Sequence, residues 1–124
     1  MKKNSFHKTE RLKSRKSIES LFKEGSVHKA YPFIVLHREV KDIKFPALMT
    51  VAVPKKQIRN ATDRNLIKRR AREVYRQQKS ELYNSLVEQN KMMELVFLYQ
   101  SHQIEEYKTI KRSIEKLVKK LSAT

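Results

Sequence analysis

The chain has 124 residues, the size of one domain, and is 39% hydrophobic but only 8% aromatic, so its core is expected to be aliphatic. Lys and Arg number 29 against 13 Asp and Glu, for a formal net charge of +16; such a chain repels itself unless a polyanion neutralises it, which makes RNA, DNA and anionic membrane the candidate partners. No stretch nears the roughly 18 apolar residues of a spanning helix, zero Cys removes disulfides, thiolate metal sites and Cys nucleophiles, and a single Gly with three Pro argues against low-complexity disorder.

Residues 1–16 are basic and polar without a sustained period and read as an N-terminal arm. No apolar stretch follows their positive start, so an export signal is not expected and the cytoplasm is the expected location. Residues 17–124 read as one α+β domain. Apolar residues at Ile18, Leu21 and Phe22 have the spacing of one helix face, with Ser14 or Ser17 as the cap and Gly25 as the stop. Residues 30–37 and 47–53 are strand-like runs flanking a charged turn, and together they predict an antiparallel hairpin. Pro54 ends the second run.

After a basic connector the period becomes helical from about Thr62 to Gln89, with Ile67, Ala71, Val74, Gln78, Leu82, Ser85 and Leu86 on the inner face. Thr62 or Asp63 is the expected N-cap, and the anionic Asp63 suits the positive end of the helix dipole. MMELVFLY at 92–99 is a further strand. A last helix is expected over 103–121, with Ile104, Tyr107, Ile110, Ile114, Leu117, Val118 and Leu121 inward. Helices packed on one small sheet are the simplest assembly of this order.

On the long helix Arg64, Lys68, Arg72 and Arg76 recur at four-residue intervals and form one stripe, widened by Arg69 and Arg70 and extended by Lys79. A solvated face normally alternates sign, whereas Glu73 is the only acid here. The bias towards Arg also matters, because guanidinium forks grip phosphate bidentately and stack on bases. The stripe is therefore expected to bind nucleic acid. Asn65 lies in the helix's first turn, where it either satisfies its own backbone or reads an RNA edge beside the free N–H groups.

Val51-Ala52-Val53-Pro54-Lys55-Lys56, then Asn60-Ala61, then Arg64-Asn65-Leu66-Ile67-Lys68-Arg69-Arg70-Ala71-Arg72-Glu73 resembles the signature of the bacterial ribonuclease P protein family. That signature is a strand ending in a Lys pair, a short loop, and a helix reading Arg-Asn-Arg-x-x-Lys-Arg-x-x-Arg-Glu. Arg11-Leu12-Lys13 and the apolar helix to Phe22 and Gly25 are similar to the family's N-terminal segment. The likeness covers residues 11 to about 99. It departs at Leu66, where the family has a second Arg, at Arg59 in a connector one residue longer than usual, and at Pro54, where Ser is common.

The resemblance implies an α-β-β-β-α-β-α sandwich with a left-handed crossover around the long helix, and hence a third strand before it. It also implies an accessory role. The RNA subunit hydrolyses precursor tRNA with bound Mg²⁺, while the protein grips the single-stranded 5′ leader and contacts the ribonuclease P RNA. Carried over by position, the leader cleft takes Ile18, Phe22 and Leu36, and the RNA-binding residues are Lys55, Lys56, Arg64, Asn65, Lys68, Arg69, Arg72 and Arg76. Arg11, Lys13 and Arg15 add further basic contacts. Ile18 and Leu36 stand where aromatics are frequent in the family, so base stacking would rest on Phe22, which is equally open to a plain core role.

A protein-only nuclease finds no support. His7, His28, His37 and His102 are scattered without metal-ligand spacing, and Glu105-Glu106 reads as a solvated pair. The cations of the last helix could lie on a membrane, but its apolar stripe is expected to pack on the sheet, so no membrane partner is expected. The alternative function is a basic ribosomal or RNA-chaperone protein with no part in cleavage. That reading needs neither the Arg-Asn helix nor a leader cleft.

Overall fold

The computed structural model describes residues 10–123. Its elements are α1 (Arg15–Glu24), β1 (Ser26–Ala30), β2 (Phe33–Val40), β3 (Ala47–Ala52), α2 (Ala61–Glu88), β4 (Met92–Tyr99) and α3 (Tyr107–Ala123). The extra strand is β1, Ser-Val-His-Lys-Ala, which is too short and polar to stand out in the sequence. It pairs antiparallel with β2 across a two-residue turn at Tyr31 and Pro32.

The sheet order β1-β2-β4-β3 overturns the expected hairpin of residues 30–37 with 47–53. β4 lies between β2 and β3, antiparallel to the first and parallel to the second. The cause is in β4 itself: MMELVFLY is nearly continuous in apolar residues, and only a central strand covered on both faces buries such a run. Its one acid, Glu94, is buried and receives the Arg38 guanidinium of β2 at 2.9 Å. The parallel β3–β4 pair requires a long crossover, which α2 provides.

The two sheet faces are covered unequally. Phe33 and Val35 of β2, Met49 and Val51 of β3, and Leu95 and Phe97 of β4 meet Ile67, Ala71, Val74, Tyr75 and Leu82 of α2 and the inner stripe of α3 in the main core. On the other face, Leu21 of α1 and Leu12 cover Leu36 and Val96, with Ile18, Leu48 and Ala52 at the margin of this smaller cluster. One ten-residue helix cannot roof the whole face.

Helix ends follow local chemistry. The Ser14 side chain caps α1 by accepting from the Ser17 N–H at 3.2 Å. Gly25 ends α1: a Cβ there would meet the Leu21 carbonyl oxygen at 2.6 Å, so the close approach requires glycine. Asn60, not Thr62 or Asp63, caps α2, its Oδ1 accepting from Thr62 N–H at 2.9 Å. At the far end Asn90 adopts φ 55°, and Lys91 N–H donates to the Leu86 carbonyl while Asn90 N–H donates to that of Val87. This is a Schellman stop with Asn in the glycine position.

The beginning and end of the chain also differ from expectation. Within the expected arm, residues 1–9 lie outside the described residues, but 10–14 pack on the body: Leu12 is buried, its N–H donates to the Met49 carbonyl, and Arg11 bridges β3 in parallel. The last helix begins at Tyr107, leaving Ile104 and Tyr107 exposed instead of inward.

Candidate nucleic-acid interface

The uncovered part of the α1-side face is a cleft of about 620 Å³. Strand alternation turns Thr50 and Ala52 of β3 and Leu98 of β4 onto this face, opposite the main core. Ile18 and Phe22 of α1 form one wall, and Lys56, Gln57 and Lys68 supply polar groups along the opposite rim. Phe22 is 49% exposed, so its ring is a wall of the cleft and not a core side chain. Leu36 is 6% exposed and packs with Leu12, Leu21 and Val96. The expectation that it faces the cleft is therefore corrected, because α1 sits directly over it. Thr50, Ala52, Leu98 and Gln100 line the cleft without having been singled out in the sequence; the period-two alternation of the two strands was the available signal.

The stripe on α2 is shared among several tasks. Lys68 faces the cleft. Arg69, Arg72 and Arg76 line a second hollow of about 230 Å³ with Glu73 and Arg11, the latter brought there by its bridge to β3. Burial first, and the nearby Arg11 second, push the Arg72 guanidinium below its usual value. Such crowding of like charge favours an anion in the hollow. Arg76 is held by Glu73 at 2.6 Å, and hydrogen bonds from Arg76 are the main cause that lowers the Glu73 carboxyl.

Two members of the stripe serve the fold. Arg64 Nη1 donates to the carbonyls of Ile58 at 3.0 Å and Arg59 at 2.7 Å, pinning the connector to the first turn of α2. Arg70 Nη1 donates to the Glu105 carbonyl at 3.0 Å, tying α2 to the approach to α3. Lys79, expected to extend the stripe, is instead buried against Glu10. Lys55, Asn65 and Arg69 are exposed, Leu66 is half-buried, and Lys13 and Arg15 lie exposed around the start of α1.

Other expectations about titratable groups are also revised. Glu105 is no solvated acid: its carboxylate receives the Ser101 hydroxyl at 2.8 Å. His28 and His37 stack with centroids 4.8 Å apart, so these two are not scattered. Among the described residues no three His, Asp or Glu side chains converge on a metal-sized position. No helix among them is long and apolar enough to cross a membrane.

Cleft, connector and stripe together form a half-apolar trough with cations along one side. Such a surface suits a single strand whose bases lie on carbon and whose phosphates meet Lys and Arg. Comparison with known proteins identifies the family. The family description Ribonuclease P matches residues 6–122. A Porphyromonas gingivalis protein described as ribonuclease P protein component is 34% identical over 110 residues, covering 88% of this chain and 80% of that one. Among solved structures, the RNase P protein of Staphylococcus aureus aligns at TM-score 0.72 and 24% identity over 88% of this chain and 92% of its own. That of Thermotoga maritima aligns at 0.70 and 24% over 89% and 96%. At this identity the structural likeness carries the fold alone.

Proposed function

The chain belongs to the ribonuclease P protein family, the protein component of the endoribonuclease that matures tRNA 5′ ends, and from that premise we propose how its surface divides the work. The cleft between α1 and the open sheet face takes the single-stranded 5′ leader of precursor tRNA. Phe22 offers its ring to a base, Ile18 and Leu98 extend the apolar floor, and Lys56 and Lys68 meet phosphates. The hollow of Arg11, Arg69, Arg72 and Arg76, with Asn65 and Lys55 near the start of α2, holds the ribonuclease P RNA. Lys13 and Arg15 add charge around α1.

The observation that carries this reading is the exposure of Phe22 in a cleft rimmed by Lys56 and Lys68. One exposed apolar side chain would need no explanation, but Phe22 joins Ile18, Ala52 and Leu98 in a contiguous apolar cleft with a polar rim, and such a groove marks a binding site. In this scheme the protein side chains position RNA and break no bond. The Mg²⁺ expected for hydrolysis is assigned to the RNA subunit, as the family resemblance implies. The protein works in the cytoplasm, where both RNAs are found.

The test is reconstitution with the cognate RNA subunit at low Mg²⁺. Added protein should stimulate cleavage of precursor tRNA and bind precursor more tightly than mature tRNA, while protein alone cuts neither. If some six phosphates are neutralised, affinity should fall roughly 10³-fold between about 50 and 200 mM salt. Unchanged cleavage on adding protein would overturn the assignment.

A further inference from the structure

The opposite edge and face of the sheet carry a second surface with RNA-binding chemistry. Tyr31, at the turn from β1 to β2, is 67% exposed. Its hydroxyl lies 3.0 Å from both Ser101 Oγ and Glu105 Oε2, and Glu105 is itself fixed through the Arg70 bond to its carbonyl. The ring is therefore clamped at its far end while much of its surface stays open. A ring already fixed loses little rotamer freedom when a ligand stacks on it.

Beside it, Tyr31, Ala30, Thr109, Arg112, Ser113 and Lys116 enclose a hollow of about 210 Å³. That is smaller than the ~300–1,000 Å³ of ordinary small-molecule pockets and is suited to one flat group. The Ser113 hydroxyl bonds to the Ala30 carbonyl and holds α3 against the edge strand.

Charge points to the class of ligand. On α3, Lys108, Lys111, Arg112, Lys116, Lys119 and Lys120 are all exposed. The single acid of α3, Glu115, accepts a hydrogen bond from Gln78 of α2. A face this lopsided attracts a polyanion. A bilayer fits poorly, because the apolar stripe of α3 (Ile110, Ile114, Leu117, Val118, Leu121) is already spent on the core and none remains to insert. An exposed aromatic beside Arg and Lys is the combination that binds unpaired nucleotides.

We infer that Tyr31, Arg112 and Lys116 form a nucleotide site for an unpaired base and its phosphate, separate from the leader cleft and filled by the RNA subunit. The source follows from position. The cleft involves β3, at the other edge of the four-stranded sheet, and opens on the other face. A leader lying there would have to pass round the body to reach Tyr31.

The test measures affinity for the isolated RNA subunit, and separately the preference for precursor over mature tRNA in the reconstituted complex. Tyr31→Ala should weaken RNA-subunit binding roughly 5- to 150-fold, the usual range for one stacked base, while the precursor preference stays unchanged. Tyr31→Phe, which keeps the ring, should retain most of the affinity. The doubly exposed variant Arg112→Gln with Lys116→Gln serves if Tyr31→Ala unfolds; its slope of log affinity against log salt should become shallower by about 0.7 per lost single-strand phosphate. Unaltered RNA affinity in Tyr31→Ala and in the double variant would overturn the site. So would equal losses in Tyr31→Ala and Tyr31→Phe, which would make the hydroxyl clamp the whole effect. A fallen precursor preference would transfer the surface to the substrate, and binding to anionic vesicles instead of RNA would transfer it to a membrane.

Discussion

Glu10 Oε1 lies 2.7 Å from Lys79 Nζ, and both side chains are under 5% exposed, so a buried ion pair joins the N-terminal segment to the middle of α2. The Tyr83 hydroxyl donates to the same carboxylate oxygen at 2.7 Å. Burial, then Tyr75 and Glu10, push the Tyr83 phenol far above its usual value, so it remains a donor at any physiological pH. Removing one partner of such a pair strands a charge, whereas replacing both with apolar groups of similar size is often neutral. Glu10→Ala is expected to cost about 3–5 kcal/mol, and Glu10→Leu with Lys79→Met should recover most of it. Because Arg11 follows Glu10 into the hollow beside Arg72, Glu10→Ala should also weaken RNA binding and the double variant should restore it. Urea denaturation and RNA titration of the three proteins check this; a melting temperature unmoved by Glu10→Ala would refute the latch.

Arg64 and Lys68 are one turn apart on α2 and differ in kind. The sequence suggests that replacing either one weakens RNA binding and spares the fold. The two carbonyl bonds from Arg64 Nη1 change that expectation for Arg64. Arg64→Ala should cost about 1–2 kcal/mol in stability, the range for lost hydrogen bonds to a partly exposed charged group, besides weakening RNA binding. Arg64→Lys should not restore it, since the compact, strongly hydrated ammonium does not place a donor where Arg64 Nη1 reaches both carbonyls. Lys68→Ala should leave the melting temperature in place and weaken precursor binding. Identical melting temperatures for all three variants would contradict the structural role of Arg64.

Much of this was legible because local patterns answer local questions. The α2 inner face at Ile67, Ala71, Val74, Leu82 and Leu86 followed from its period, and Gly25 as the stop of α1 from its residue type. What stayed hidden depended on contacts distant in sequence. No local signal in residues 30–53 announces that β4 will slide between β2 and β3, because the cause lies in the continuous apolar run of β4, distant in sequence. Lys79 continues a basic series in sequence, and only its meeting with Glu10 turns it inward. Leu36 and Phe22 show the same limit in the cleft: both were candidates, and the packing of Leu12 and Leu21 over the sheet buries Leu36 while Phe22 stays exposed.

Phe22 gives the cleft its own prediction. Its ring is half in water, so Phe22→Ala should change stability by no more than about 0.5 kcal/mol, as at ordinary surface positions. The loss should appear instead in recognition. The preference for precursor over mature tRNA should shrink by roughly 1–3 kcal/mol, the range for one stacked base, while binding to the isolated RNA subunit stays as it was. Phe22→Tyr should keep the preference. If Phe22→Ala lowers the melting temperature and leaves the preference intact, the ring is structural and the leader lies elsewhere.

The stacked pair His28 and His37 makes stability depend on pH in a defined direction. The rings lie 10° from parallel at a 4.8 Å centroid separation, and among the described residues the buried His37 Nε2 has no hydrogen-bond partner. Burial first, and the neighbouring His28 second, lower the His37 imidazole below its ordinary value of 6.5. A proton therefore binds the unfolded chain more readily than the folded one, and stability rises with pH wherever the unfolded state holds more protons. Stability should be full above about pH 6.5 and be lost as pH falls from there through the lowered folded value. Other groups titrate nearby, so the informative quantity is a difference between proteins. His37→Phe keeps a flat ring in place and removes the proton site, and it should lose less stability than the parent between about pH 7 and pH 5. Urea midpoints at the two pH values supply the comparison. Equal losses in both proteins would show that His37 does not govern the acid side of the stability curve.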